Sequence, residues 1–437
     1  MDFVDGLNSI PNSQALLTGL RLFSQVLIFV ICFRLMAILT NDFITPALEC
    51  LSLRSGGLSH TAVYVLHSAI GSLPETFLSI TAALNGHSTL HHTLPVGTIL
   101  GCGWISMTII PALVSLNRCA EIPYVIIIRE IGLYGLMCAF LLYKLADWNT
   151  SPVFYSSMLL VLYLVYFNSV RATQSIEQRM SRQKRERRLI NQLQPIGTFM
   201  LDGDQLERAP IELALSRAGI VGNYNYVSIE GALRGMAPVG ELGLSPNECG
   251  RLPTGSEKTL GFWLLSWFCF RALPGTGSER FYLFSVVNAL LIHLLLSVLV
   301  TTICNSWADK MLYGLSNRLV GPIIVAGFSL LGETLKITTI PTDESASHFI
   351  IGGLSAQVFG LGVGLGLPWL LYGVTNGSSI LDHPSVRDQL KISLVCACAL
   401  MIYSTKNLDD EGLVRFHRCW PLFLLYLIAV LVFIFSQ

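Results

Sequence analysis

The chain of 437 residues is 52% hydrophobic and only 13% charged, with Lys plus Arg matching Asp plus Glu at 28 each. Soluble domains carry about a quarter charged residues, so the composition excludes an ordinary soluble enzyme, and a zero net charge gives no footing for nucleic-acid binding. Apolar runs of about 20 residues with so few charges are what the bilayer core demands, because each span must offer about 30 Å of apolar surface and satisfy its own backbone.

Residues 1–18 are polar, carry Asp2 and Asp5, and lack the basic segment of a cleavable signal, so the first apolar run is expected to be a retained span. Spans are expected at 20–42, 59–83, 94–116, 123–144 and 152–170, forming an N-terminal half over 1–170. A loop over 171–280 opens with Arg171, Arg179, Arg182, Lys184, Arg185, Arg187 and Arg188 against Glu177 and Glu186. A basic run directly after a span marks the cytoplasmic side. It also offers contacts to anionic membrane lipids, although a topology signal alone is the simpler reading. The later loop is rich in Gly, Pro, Ser and Asn over 239–258, and an aromatic stretch, Phe262 to Phe268, suits the membrane interface. No nucleotide fingerprint or nucleophile constellation appears in the loop, so catalysis is not expected there. Five further spans are expected at 281–304, 319–340, 348–372, 392–404 and 419–436, making a C-terminal half over 281–437.

With the loop inside, both termini fall outside, and the second span runs outward while its counterpart, the seventh, runs inward. The expected fold is an all-α membrane protein of about ten transmembrane helices arranged as two inverted five-helix repeats, an architecture that binds substrate near mid-membrane. Smaller signals have plain readings. Cys32, Cys102, Cys138, Cys304, Cys396 and Cys398 read as packing residues in or beside apolar runs. His87, His91 and His92 read as solvated loop residues, Asn376-Gly377-Ser378 as a glycosylation acceptor, and Asp42 and Asp147 as charges at span ends.

Ionisable residues deep in spans are expensive and therefore point to function. Glu75 ends the run Gly71-Ser72-Leu73-Pro74-Glu75 in the second span. Gly71 and Pro74 interrupt the helix and release carbonyls beside the carboxylate. Carbonyls, a hydroxyl and a carboxylate form an oxygen cluster suited to a hard cation such as Ca²⁺ or Na⁺. The bland alternative pairs Glu75 with a base such as Arg34. In the seventh span, Ser329 precedes Gly332-Glu333, and Lys336 follows at i+3 on the same helical face. A Lys there can neutralise Glu333 as a tethered cation. At an effective dielectric near 20, unit charges about 4 Å apart interact by about 4 kcal/mol.

These strings resemble the potassium-dependent sodium/calcium exchangers of the cation/calcium exchanger superfamily. Met36 to Glu49 is similar to the family's first-span signature, and Gly71-Ser72-Leu73-Pro74-Glu75 to its G-S-A-P-E. Gly97 through Ser106 resembles G-T-I-V-G-S-A-V-F-N, and Arg129-Glu130 and Asp147-Trp148 fit around the fourth span. Val320 through Glu333 aligns with the stretch ending G-T-S-I-P-D, and Leu367-Pro368-Trp369-Leu370-Leu371-Tyr372 is the most specific match. The resemblance implies secondary antiport of Ca²⁺ against Na⁺, with no cofactor beyond the transported ions, at sites built from spans two, three, seven and eight. It also implies that the first and sixth spans slide past the rest. Carried over position by position, Glu75 and Glu333 are the central carboxylates, Ser72, Ser106 and Ser329 offer hydroxyls, and Gly71 offers a carbonyl.

Several positions depart from the family. Ser106 and Gln357 each replace an Asn, Leu330 a Ser, and Gly332 a Pro. Gly360 stands where the family has an acidic residue used for K⁺, and Lys336 where a small hydroxyl residue is usual. These changes speak against K⁺ dependence. The expected function is a cation antiporter, favoured in the plasma membrane, exchanging Ca²⁺ against Na⁺ or, alternatively, H⁺. An alternative of another class is a transport-inactive homologue with a regulatory or assembly role.

Overall fold

Apolar runs that cannot satisfy their backbone with solvent close it internally as helices, and almost every described element is one. The structure, a computed structural model, describes residues 12–45, 47, 68–84, 89–146, 151–193, 279–310, 319–330, 334, 337, 343–376, 384–410, 412–417 and 419–435. Helix α1 (Asn12–Ile38) continues through a π-helical turn at Leu39–Ile44. It is followed by α2 (Leu73–Leu84), α3 (Thr89–Asn117), strand β1 (Ala120–Pro123), α4 (Tyr124–Ala146) and α5 (Pro152–Leu193). Next among the described residues come α6 (Glu279–Lys310), a π-helical turn at Val320–Val325 and α7 (Ala326–Ser329). Then α8 (Asp343–Phe359) runs through a third π turn (Gly360–Leu365) into α9 (Gly366–Asn376). The described chain closes with α10 (Pro384–Lys406), β2 (Leu413–Phe416) and α11 (Trp420–Phe435). The chain divides into two units, 1–170 with 250–437, and 171–249.

Among the described residues, six helices are long and apolar enough to cross a membrane: Gly19–Ile44, Leu94–Asn117, Tyr124–Lys144, Val153–Thr173, Leu283–Cys304 and Ala346–Val374. Val320–Ser329 and Trp420–Phe435 are shorter apolar helices. The helix expected to end near residue 170 continues to Leu193, so the basic run opens on a helix rather than a loop. The ninth run, expected to be short, forms a helix of 23 residues because Pro384 starts it well before the apolar stretch.

Helix α6 turns a polar face inward and an apolar face outward. On α6, Ser285, Ala289, His293, Ser297 and Thr301 recur every fourth residue and are all buried, while Leu291, Leu295 and Leu299 are exposed. A face of that kind fits lipid outside and protein inside. Exposed Leu20, Phe23 and Leu27 on α1 and Leu424, Leu427 and Leu431 on α11 extend the apolar surface.

Helix directions follow from side-chain pairs. Gln25 donates Nε2 to Ser306 Oγ (3.0 Å) and accepts from Trp307 Nε1 (3.1 Å). Further along α1, Ile38, Leu39 and Phe43 share a cluster with Ala289, so α1 and α6 run antiparallel. Phe77 meets His293 with ring centroids 5.4 Å apart, and Thr81 Oγ1 lies 3.1 Å from Thr301 Oγ1, so α2 and α6 run parallel. β1 and β2 pair antiparallel in the register Ala120 with Phe416 through Pro123 with Leu413. Glu121 N also donates to Ser347 Oγ at 3.1 Å, so the turns after α3 and α10 and the start of α8 lie together.

Two features hold the interior. Arg129, expected at the edge of the fourth span, is buried inside it, and its Nη2 donates to Glu130 Oε1 at 2.6 Å while Tyr166 OH donates to the same oxygen at 3.2 Å. Paired charges with further hydrogen bonds are the form in which ions tolerate such burial. Trp104 is fully buried, donates Nε1 to Ser393 Oγ at 2.7 Å, and meets Phe433 edge-on at 5.6 Å. Trp104→Phe removes that hydrogen bond and leaves a void, and is expected to cost about 2 kcal/mol, read as a lowered melting temperature in detergent.

Candidate cation site

Glu75 lies in the first turn of α2. Pro74 is tolerated beside it because the first-turn N–H groups have no intrahelical acceptor, and the positive end of the helix dipole favours a carboxylate there. The chain breaks just before. Residues 68–71 are helical, Ser72 forms a turn with its N–H on Ala69 O (3.3 Å), and Thr76 closes on Ser72 O through both N (3.0 Å) and Oγ1 (2.8 Å). Ser72 Oγ itself donates to Ser68 O at 3.3 Å.

The Glu75 side chain is only 3% exposed. Its Oε1 accepts from Ser329 Oγ of α7 and from Cys102 Sγ of α3, the latter at 3.3 Å. Its Oε2 is buried with no hydrogen-bond partner among the described residues. Ser106, one turn beyond Cys102 on α3, also has a buried Oγ without a partner among the described residues. Buried polar atoms are otherwise almost always bonded, so orphans at one site mark a place for an ion or water.

The surrounding elements come close. Cys102 Sγ lies 3.8 Å from Ala326 O. Gly97, Gly101 and Gly321 let α3 and the π turn before α7 touch backbone to backbone; a Cβ at Gly101 would sit 2.2 Å from Pro322 O. Gly360, at the start of the third π turn, faces Ile99 and Ser72, and a Cβ there would lie 3.4 Å from Ile99 Cγ2 and 4.0 Å from Ser72 Cβ. Ser68 Oγ donates to Ser355 Oγ at 2.8 Å, tying the approach to α2 onto α8. π turns recur at functional sites because they shift register and free backbone groups.

Of the residues expected from sequence, Gly71, Ser72, Glu75, Ser106 and Ser329 lie on the elements that meet here, with Ser329 bonded directly to Glu75. Gln357 is buried on α8, three positions before Gly360. Glu333 and Lys336 lie outside the described residues, as do Asp147, His87, the aromatic stretch 262–268 and Ser378. Arg34 is exposed on α1, and the described partners of Glu75 are Ser329 and Cys102. Asp42, expected as a boundary charge, is buried in the π turn after α1. Cys102, read from sequence as packing, is a direct neighbour of the carboxylate; its i, i+4 spacing to Ser106 was the signal that places both on one helix face. Where α2 packs on α6, His293 and Ser297 on α6 and Ser79 on α2 are buried with side-chain polar atoms lacking partners among the described residues.

A family model described as sodium/calcium exchanger protein matches residues 25–168. No curated protein matches the chain significantly. A crystal structure of the H⁺/Ca²⁺ exchanger CAX is similar with a TM-score of 0.53 at 12% identity, covering 93% of this chain and 82% of that one. The structure of native YfkE gives a TM-score of 0.49 at 12% identity, covering 99% of this chain and 95% of that one. The chain is thus an integral membrane protein with the fold of the H⁺/Ca²⁺ exchanger. Its N-terminal half carries the sequence pattern of the sodium/calcium exchangers.

Proposed function

We propose that the chain is a secondary active cation antiporter that moves Ca²⁺ against Na⁺ or H⁺, through about ten spans arranged as two inverted five-helix repeats. The observation that carries this reading is Glu75: a buried carboxylate at a helix start, held by one oxygen to α3 and α7 and left with its other oxygen unoccupied among the described residues. A carboxylate buried at that cost is retained where it handles an ion. The ten-span reading is supported by the helix directions: α1 and α6 antiparallel, α2 and α6 parallel, and the turns after α3 and α10 on one face. Each agrees with spans that alternate in direction.

In this reading Glu75 and, from the sequence, Glu333 hold the cation, with Ser72, Ser106 and Ser329 hydroxyls and the Gly71 carbonyl completing an oxygen shell. Gln357 and Gly360 adjust the shell, and Lys336 competes with the cation for Glu333. The orphaned polar groups of α2 and α6 fit a hydrated approach to the site. Sodium coupling is supported by the family pattern in the first half, and proton coupling by the fold shared with CAX. Vesicles loaded with Ca²⁺ separate the two: an imposed Na⁺ gradient drives Ca²⁺ movement under the first, a pH gradient under the second. Flux under neither gradient would favour the transport-inactive alternative. The plasma membrane is the proposed location.

A Cβ at Gly360 would meet Ile99 and Ser72 at ordinary van der Waals distance. Gly360→Asp is expected to add a carboxylate beside Ser72 and make Ca²⁺ flux respond to K⁺, whereas the wild type runs equally with and without K⁺. Identical K⁺ responses in the two proteins would detach Gly360 from the ion site.

A further inference from the structure

Hard-cation sites are built from oxygen alone, and Ca²⁺ takes six to eight oxygen ligands at about 2.3–2.6 Å. The site around Glu75 is different, because its nearest neighbour from α3 is sulfur. Cys102 is fully buried, and its Sγ lies 3.3 Å from Glu75 Oε1. Ser329 Oγ reaches the same oxygen from α7, and Ala326 O lies 3.8 Å from the sulfur. The second carboxylate oxygen, Oε2, points to no partner among the described residues.

The spacing suits a shared ion. A zinc-like ion holds sulfur at about 2.3 Å and carboxylate oxygen at about 2.0–2.2 Å, which sets tetrahedral ligands about 3.6 Å apart. The observed 3.3 Å separation is close to that before any ion enters. Sulfur ligands favour thiophilic metals, while carbonyl and carboxylate oxygens favour Ca²⁺ and Mg²⁺. A site that offers both, with hydroxyls alongside, discriminates by the metal's affinity for sulfur.

Resting on the antiporter reading above, we infer that Cys102 sets the selectivity of this site and that the protein takes thiophilic divalent cations of the Zn²⁺ and Cd²⁺ class in preference to Ca²⁺. The metal binds between Cys102 Sγ and the Glu75 carboxylate, with Ser329 at its side. The sulfur–metal bond replaces the thiol S–H bond, and the proton leaves to water. No redox change is involved.

The experiment uses the full chain purified in detergent, with Cd²⁺, Zn²⁺ and Ca²⁺ as probes. The thiolate-to-cadmium ultraviolet absorbance is read as a wild-type minus Cys102→Ser difference, which cancels the other ten of the eleven cysteines. Stabilisation against heat is titrated with each ion in parallel. The expected result is a Cys102-dependent absorbance band and a wild-type response to Cd²⁺ at concentrations at least about tenfold below those of Ca²⁺. In Cys102→Ser that preference falls by about tenfold or more. Cys102→Ala gives a second variant with the same expected loss. An unchanged Cd²⁺ to Ca²⁺ ratio in both variants, or a difference spectrum without a band, overturns the inference and leaves the antiporter reading standing. A wild type that none of the ions stabilises overturns both.

Discussion

Glu75→Gln is expected to abolish cation-driven flux while leaving the fold intact. Gln keeps the shape of Glu and one acceptor oxygen, so Ser329 Oγ can still donate to it and the contact between α2 and α7 survives. The charge is what disappears. A unit-charge interaction of about 4 kcal/mol at an effective dielectric near 20 corresponds to roughly a thousandfold weaker cation binding. The same change relieves a buried charge, so the ion-free melting temperature is expected to stay level or rise. Vesicle flux and Ca²⁺ titration of the melting temperature measure the two effects separately. Flux equal to wild type would remove Glu75 from the transport step.

The largest structural effect is expected at the crossing of α3 with the π turn before α7. A Cβ on Gly101 meets Pro322 carbonyl oxygen at 2.2 Å and its Cα at 2.6 Å, both backbone atoms that cannot swing aside. The two elements must separate, and because Cys102 is the next residue and Ala326 follows the π turn, the ligands around Glu75 separate with them. Inserted methylenes in a packed interior cost about 1–3 kcal/mol, occasionally more; Gly101→Val is expected at or above the upper end, with Ca²⁺ stabilisation lost as well. Gly327→Ala is the control. Nothing lies within 4 Å of a Cβ there, so the alanine is expected to hold or slightly raise stability through its better helix propensity. Equal melting temperatures for wild type and Gly101→Val would mean that the crossing does not hold the site together.

Much of this organisation was legible in the sequence because the bilayer limits the choices. Runs near residues 20–42, 94–116, 123–144 and 281–304 were expected to be spans, and each forms a helix long and apolar enough to cross a membrane. Glu75 stood out because a carboxylate after Ser72-Leu73-Pro74 has no cheap place in an apolar span. Other features were hidden for physical reasons. Arg129 and Glu130 neutralise each other within the membrane, so their charges announce a boundary that is not there. Cys102 reads as a small hydrophobe in any apolar run, and only the crossing of three helices puts its sulfur against an acid. The length of α5 was missed because a basic polar segment carries no hydropathy signal, although many of its residues are good helix formers.

The short ladder between β1 and β2 has a mechanical meaning. It stitches together segments that lie in opposite halves of the sequence, and Ser347 adds a third thread to the seam. Gln25, Phe29 and Trp307 bind α1 to α6, and the packing clusters around that pair take in α2, α3 and the π turn before α7 but not β1, β2, α4 or α10. The two regions are thus fastened differently: a backbone ladder holds the one, while side-chain packing and the Thr81–Thr301 contact hold the α1–α6 pair to α2.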